Sequence, residues 1–262
     1  MPFRIACTTA LLMCCLANLS FADDLWNEKK GEHFLIYYQS DSSFAERVLE
    51  QAEEVYERET GYFGSISGKN FWLWDNRCKL FLYNSQHAYL NATGQPEWSS
   101  GYADVGERAI VSYERAPEFL DTVLPHEMAH LIFREFVEVG NRSVPRWLDE
   151  GFAISQEKNV RDYLDETIKK AVHQQGSIPL EELNRAGALH GAPANQARLF
   201  YAEAQSLARF LIEGRDGSHF LNFCRSLRDN ASFEEALVKG YQNEFSSIDT
   251  LEKKWKKFVM AS

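Results

Sequence analysis

The chain has 262 residues, 45% of them hydrophobic, and a formal net charge of −10 at pH 7. An acidic chain is repelled by nucleic-acid phosphates and by anionic membrane surfaces, so the charge argues against both as partners. The apolar content is ample for one large domain or for two lobes that share a core.

The first 22 residues have the pattern of a secretory signal peptide. A short basic start at 1–4 precedes an apolar run at 5–19, and small residues occupy the positions that a signal peptidase reads before residue 23. The apolar run is too short to span a bilayer comfortably, although an uncleaved anchor is the alternative. We therefore expect an exported protein, periplasmic or extracellular, with no stable membrane insertion after signal removal.

Strand and helix patterns alternate in the first half of the mature chain. The predicted elements are a strand at 33–39, a helix at 44–60, a strand at 77–85, and a hairpin or a longer bent edge strand at 101–114. We expect Ser42 and Ser43 to cap the helix at 44–60 and Gly61 to end it. If residues 101–114 form one longer edge strand, we expect it to bend at Gly106. Pro117 suits the first turn of the next helix.

Strand patterns disappear after residue 145, and helical patterns replace them. Helices are predicted at 145–157, 160–175, 197–213, 218–228, 232–239 and 246–259. Gly151, in the first of these, permits the close approach of another helix. The sequence thus predicts an α+β fold, a small mixed sheet followed by an all-helical lobe. Its expected parts are a signal peptide at 1–22, an α+β lobe at 23–140 and a helical lobe at 141–262.

The segment VLPHEMAHLIF, residues 123–133, places ionisable groups in an otherwise apolar helix. Burying such groups without partners costs several kcal/mol, so something must compensate them. His126 and His130 are four residues apart and share one helix face, where two imidazoles can bind one metal ion. Glu127 flanks that ion and can act as a base. The HExxH pattern therefore predicts a zinc site, the alternative being buried histidines that bond to backbone carbonyls.

A catalytic zinc ion needs a third protein ligand and an open fourth position. The extended HExxHxxGxxH pattern is absent, because Phe133 and Phe136 occupy the glycine and histidine positions. In PRWLDEGFAIS, residues 145–155, Glu150 falls on the apolar face of the predicted helix. Glu150 is the expected third ligand, and Asp149, on a different face, is the fallback.

HEMAH followed after 19 residues by the glutamate of WLDEGFA resembles the gluzincin metallopeptidases, especially the small bacterial peptidase MA-like domain proteins. A looser similarity extends over residues 33–259. The resemblance implies a zincin-like fold, zinc ligands at His126, His130 and Glu150, and Glu127 as general base. It does not imply aminopeptidase activity, because the chain lacks the Gly-x-Met-Glu-Asn motif that binds the substrate amine.

A further group should stabilise the oxyanion that forms at the scissile carbonyl. Tyr201 is the expected residue, because its segment matches the family segment that bears a tyrosine. A core tyrosine is the other interpretation, and His173, His190 and His219 are alternative candidates for the role.

These patterns favour an exported zinc metallopeptidase with a peptide or protein substrate. Because the amine-binding motif is missing, they favour an endopeptidase over an exopeptidase. A rival from another class is an exported zinc-binding scaffold without turnover, and hydrolysis of a non-peptide amide would use the same site. Glu127 argues against the scaffold, since a structural zinc site needs no base and usually closes with a fourth ligand. Cys78 and Cys224 remain after signal removal, either as one disulfide or as two buried thiols. The sequence does not specify the oligomeric state.

Overall fold

A computed structural model describes residues 26–64, 71–138, 141, 144–158, 161–187, 192–241 and 244–261. The predicted signal peptide and His190 lie outside this part of the chain. Within it, the fold is α+β with a mixed sheet and a helical second half, as predicted.

Strands precede most of the helices along the chain. The strands are β1 (Asn27–Lys30), β2 (Phe34–Tyr38), β3 (Cys78–Tyr83), β4 (Gly101–Asp104) and β5 (Ala109–Tyr113). The helices are α1 (Ser42–Gly61), α2 (Gln86–Thr93), α3 (Leu124–Val137), α4 (Arg146–Gln156), α5 (Arg161–His173), α6 (Leu180–Arg185), α7 (Ala194–Ile212), α8 (Gly217–Arg228), α9 (Phe233–Tyr241) and α10 (Ile248–Ala261).

The sheet has the strand order β1-β2-β3-β5-β4. The three inner strands are parallel, and β1 and β4 pair with them in antiparallel orientation at the two edges. Ile36, Leu80 and Ile110 lie opposite one another on the three inner strands and are buried. This row of aliphatic side chains is part of the buried apolar surface that the parallel inner strands require.

The chain forms two compact units that divide inside α3. Among the described residues, the first comprises 26–58 and 71–128, and the second comprises 59–64 and those between 129 and 261. The first unit contains the sheet, and the second contains helices α4 to α10. The domain division predicted at residue 140 stays a prediction.

Helix α7 is the buried centre of the second unit. It packs against α4, α5, α8 and α10, and every residue from Phe200 to Leu211 is buried. Its approach to α4 is close because Gly151 has no side chain. A Cβ at this position would overlap the backbone oxygen of Ala204 and touch the side chain of Ala208. The expectation that Gly151 permits close helix packing is confirmed.

A carboxyl group is buried on the same helix α7. Glu203 has no exposed surface, and its Oε1 accepts a hydrogen bond of 2.7 Å from the Ile178 amide. Oε2 is buried without a hydrogen-bond partner among the described residues. Burial raises the pKa of Glu203 to about 8, outweighing the opposite effect of the Ile178 bond. The carboxyl group is therefore mostly protonated in the folded protein at neutral pH.

Two local predictions were wrong. Helix α1 is capped by Asp41, whose Oδ1 accepts from the Phe44 amide at 3.0 Å, rather than by Ser42 or Ser43. The segment after Pro117 does not enter an α-helix at once, because Phe119–Val123 forms a π-helical turn before α3. No pattern in the sequence predicts β1, α2 or α6.

The hairpin interpretation of residues 101–114 is confirmed, with β4 and β5 joined by a turn that contains Gly106. Cys78 and Cys224 are buried thiols, one in each unit, and not a disulfide. None of the described helices combines the length and the apolar character needed to cross a bilayer.

Replacing Gly151 by Ala should lower the free energy of unfolding by roughly 1–3 kcal/mol, because the added methyl group overpacks the α4–α7 contact. The intrinsic helix preference of Ala, about 1 kcal/mol, acts in the opposite direction and is the smaller effect. Urea unfolding measures the change. Gly61→Ala is the matched control, since a Cβ there would meet nothing within 4 Å. Equal stability of the two variants would contradict close packing at Gly151.

Replacing Glu203 by Gln should stabilise the protein at pH 8 and leave its stability nearly unchanged at pH 5. Between the ordinary pKa of 4.5 and the folded pKa of about 8, only the folded state keeps the carboxyl proton. The free energy of unfolding of the wild type therefore falls by about 1.4 kcal/mol per pH unit through this window. Gln retains the acceptor for Ile178 and cannot ionise.

Urea unfolding of wild type and variant across this pH window tests the prediction. Glu166→Gln, which removes an exposed carboxylate of α5 and keeps Glu203, is the control, and its free energy of unfolding should fall with pH as that of the wild type does. A stability difference between wild type and Glu203→Gln that stays constant from pH 5 to 8 would mean that Glu203 is ionised in the folded protein.

Candidate metal centre

Helix α3 brings the HExxH residues into the protein interior. Pro125 lies in its first turn and has no N–H to donate to the π-helical turn that runs directly into α3. The preceding π-helical turn is closed by a bond from the Val123 amide to the Glu118 carbonyl. His126 is 5% exposed and Glu127 2% exposed, so both ionisable side chains are buried.

The two histidines and one acid of helix α4 form a cluster. Ligand atoms of His126, His130 and Glu150 all lie within 4.8 Å of one another, and His130 Nε2 is 3.9 Å from Glu150 Oε2. The cluster thus contains the three residues that the sequence predicts as ligands. Their assignment as ligands stays a prediction.

The chemistry of this cluster fits a zinc ion. Two imidazoles and one carboxylate are a ligand set of catalytic zinc sites, and donor atoms on one tetrahedral ion lie about 3.3 Å apart. The separation between His130 Nε2 and Glu150 Oε2 is 3.9 Å, and every other pair of ligand atoms lies within 4.8 Å. A cation would also compensate the burial of Glu150, which is 6% exposed.

Glu127 is held by the edge strand of the sheet. Its Oε2 accepts a hydrogen bond of 2.9 Å from the Ala103 amide of β4. The carboxylate therefore has a fixed position next in sequence to the first histidine, with a polar partner that offsets part of its burial.

Glu150 is oriented by an arginine of its own helix. Arg146, one turn earlier on α4, donates from Nε and Nη2 to Glu150 Oε1 at 3.2 and 3.1 Å. The other oxygen, Oε2, is the one that lies near His130. A third Arg146 nitrogen donates to the Gly187 carbonyl at 3.1 Å. The guanidinium thus fixes which carboxylate oxygen faces the histidines.

His130 contacts a second acid through its other ring nitrogen. Nδ1 lies 3.1 Å from Asp149 Oδ1, and Asp149 Oδ2 accepts from Arg134 Nε and Nη2 at 3.0 and 2.8 Å. Burial alone would raise the pKa of Asp149. The charges and hydrogen bonds of His130 and Arg134 outweigh burial and hold the pKa well below its usual range. Asp149 is therefore an ionised acceptor.

Asp149, the fallback ligand, is not part of the cluster of potential ligands. Tyr201 is buried at 3% exposure on α7, and its ring packs edge-on against Phe200. It shares a helix face with Ala204, which contacts Gly151 next to Glu150. Its role as the oxyanion donor stays a prediction.

The other candidates for oxyanion stabilisation lie in different surroundings. His173 is exposed at the end of α5. His219 Nδ1 lies 3.1 Å from the Asp216 carbonyl, and its ring lies against Tyr241. Neither belongs to the cluster.

Sequence reasoning missed the groups that surround the cluster, namely the Ala103 amide, Arg134, Arg146 and the contact of Asp149 with His130. Arg134 and Arg146 each lie four residues from a cluster residue on the same helix, a spacing that is visible in the sequence. The Ala103 contact has no such signal, because it joins residues 24 positions apart through the fold.

Comparison with known proteins identifies the family. The model of the peptidase MA superfamily matches residues 75–261, well over half of the chain and including every residue of the cluster. No curated protein matches the chain significantly. The chain belongs to the peptidase MA superfamily.

Proposed function

We propose that the protein is an exported zinc-dependent metallopeptidase that hydrolyses internal peptide bonds. Membership of a peptidase superfamily supports a hydrolase with a peptide or protein substrate. The observation that carries the zinc assignment is the cluster of His126, His130 and Glu150, whose ligand atoms lie within 4.8 Å of one another.

In the proposed mechanism, His126, His130 and Glu150 hold the metal. Zinc, when bound, supplies a Lewis acid that lowers the pKa of a water molecule and polarises the scissile carbonyl. Glu127 accepts the proton of the attacking water and delivers it to the nitrogen of the departing amine. The Ala103 amide fixes the Glu127 carboxylate through Oε2 during this transfer.

Tyr201 is the proposed donor to the oxyanion that forms when water adds to the carbonyl. Support comes from its place on α7, on the face that packs against α4 beside Glu150. A preorganised hydroxyl at this position would stabilise the developing oxyanion more strongly than it stabilises the uncharged carbonyl of the bound substrate.

Two features of the sequence support export and internal cleavage. Residues 1–22 have the pattern of a secretory signal, which directs the mature chain to the periplasm or the exterior. The chain lacks the Gly-x-Met-Glu-Asn motif with which related aminopeptidases bind a free amine.

Replacing Glu127 by Gln should leave zinc bound and lower kcat by roughly 10²–10⁴-fold, because the amide cannot accept the proton of water. Digestion of a peptide library together with metal analysis measures both properties. Glu135→Gln is the control, since it makes the same change two turns further along α3. Full turnover by Glu127→Gln would exclude Glu127 as general base.

Replacing His126 or Glu150 by Ala should abolish stoichiometric zinc. Loss of a residue that hydrogen-bonds a metal ligand lowers metal affinity about 10–100-fold, so loss of a ligand itself should lower zinc affinity further. Zinc content after dialysis against a weak chelator is the measurement, and circular dichroism checks the fold. His87→Ala, at an exposed histidine of α2, should retain one zinc per chain. Unchanged zinc content in both ligand variants would exclude this cluster as the zinc site.

The same experiments separate the peptidase from its rival. Zinc in the wild type without cleavage of any library peptide would favour a zinc-binding scaffold. Cleavage confined to non-peptide amides would leave the proposed zinc site unchanged and would show that the substrate is not a peptide.

A further inference from the structure

Asp149 and Arg134 are ionisable residues next to the cluster that have no role in the proposed mechanism. Asp149 is buried, with 7% of its side chain exposed, and Arg134 is partly buried, with 29% exposed. Burial of such a pair is costly and is often no more stabilising than an apolar contact would be. The geometry of the pair points to a role beyond stability.

The two ring nitrogens of His130 face two different carboxylates. Nδ1 is 3.1 Å from Asp149 Oδ1, whereas Nε2 is 3.9 Å from Glu150 Oε2 on the side of the cluster. Two guanidinium N–H groups of Arg134 donate to the other oxygen of Asp149, the pairing of an arginine with a carboxylate, which only accepts hydrogen bonds. The contact of Asp149 Oδ1 with His130 therefore requires a proton on Nδ1. In the neutral ring, Nε2 then carries the lone pair that a metal ion needs.

Arg134 fixes the position of Asp149. It lies one turn after His130 on α3, and its Nε and Nη2 bind Asp149 Oδ2 as a fork at 3.0 and 2.8 Å. One carboxylate oxygen is thereby committed to Arg134, and the other remains for His130. The two bonds converge on this single oxygen, so Arg134 holds Oδ2 in place and leaves Oδ1 for the His130 ring.

We propose that Asp149 is a positioning residue that sets the tautomer and orientation of His130, and that Arg134 acts through Asp149. This inference rests on the proposed function, because it assigns His130 to a metal. It explains why α4 carries two adjacent acids, one for each nitrogen of the same ring.

The first test is the zinc affinity of the full chain, measured by competition with a chromophoric chelator. Asp149→Asn and Arg134→Gln should each weaken zinc binding about 10–100-fold. The double variant should bind zinc no more weakly than Asp149→Asn, because Arg134 acts only through Asp149. If the losses of zinc affinity in the two single variants add up in the double variant, the proposal that Arg134 acts through Asp149 is wrong.

The matched control is the ion pair of Arg209 and Asp165 in the same unit. Arg209 Nη1 binds both oxygens of Asp165 at 2.9 and 2.7 Å, and neither residue belongs to the cluster. Asp165→Asn should lower stability and leave zinc affinity unchanged. If Asp149→Asn does the same, Asp149 has a structural role only and the proposal is wrong.

A second test requires neither metal nor turnover. Nitrogen NMR of the metal-free protein, at a pH where the ring is neutral, should show the Nδ1–H tautomer of His130, and Asp149→Asn should shift the population towards Nε2–H. An Nε2–H tautomer in the wild type would overturn the proposal. Zinc affinity and tautomer as expected, with no peptide cleavage, would instead reject the proposed peptidase function and retain the positioning role.

Discussion

Burial of ionisable side chains on an otherwise apolar helix is the constraint on which the site depends. Each acid around the cluster is compensated by an N–H donor: Glu127 by a backbone amide, and Asp149 and Glu150 by arginines. These donors offset the loss of water and also fix the direction in which each carboxylate points. The same contacts that make burial tolerable therefore preorganise the site for a cation and for proton transfer.

The HExxH helix and its metal cluster could be predicted from the sequence because they follow from helix geometry. Residues four apart share a face whatever the rest of the fold does, and His126 and His130 do so on α3. Glu150 was found from its place on an apolar stripe. The same helical spacing places Asp149 on another face, outside the cluster. Its contact with His130 could not be predicted, because nearly all of α4 is buried and no solvent face sorts its residues.

Elements without a hydrophobic pattern were missed for a similar reason. Strand β1 has the sequence NEKK, and only its pairing with β2 makes it a strand. Helices α2 and α6 are short, so their periodicity is weak. The start of the HExxH helix was misplaced because the π-helical turn before α3 differs from an α-helix in hydrogen bonding and not in composition.

Asp149 and Glu150 are consecutive residues of one helix, and each approaches a different nitrogen of the same imidazole. A rigid displacement of α4 would consequently carry both acids away from the His130 ring in a single movement.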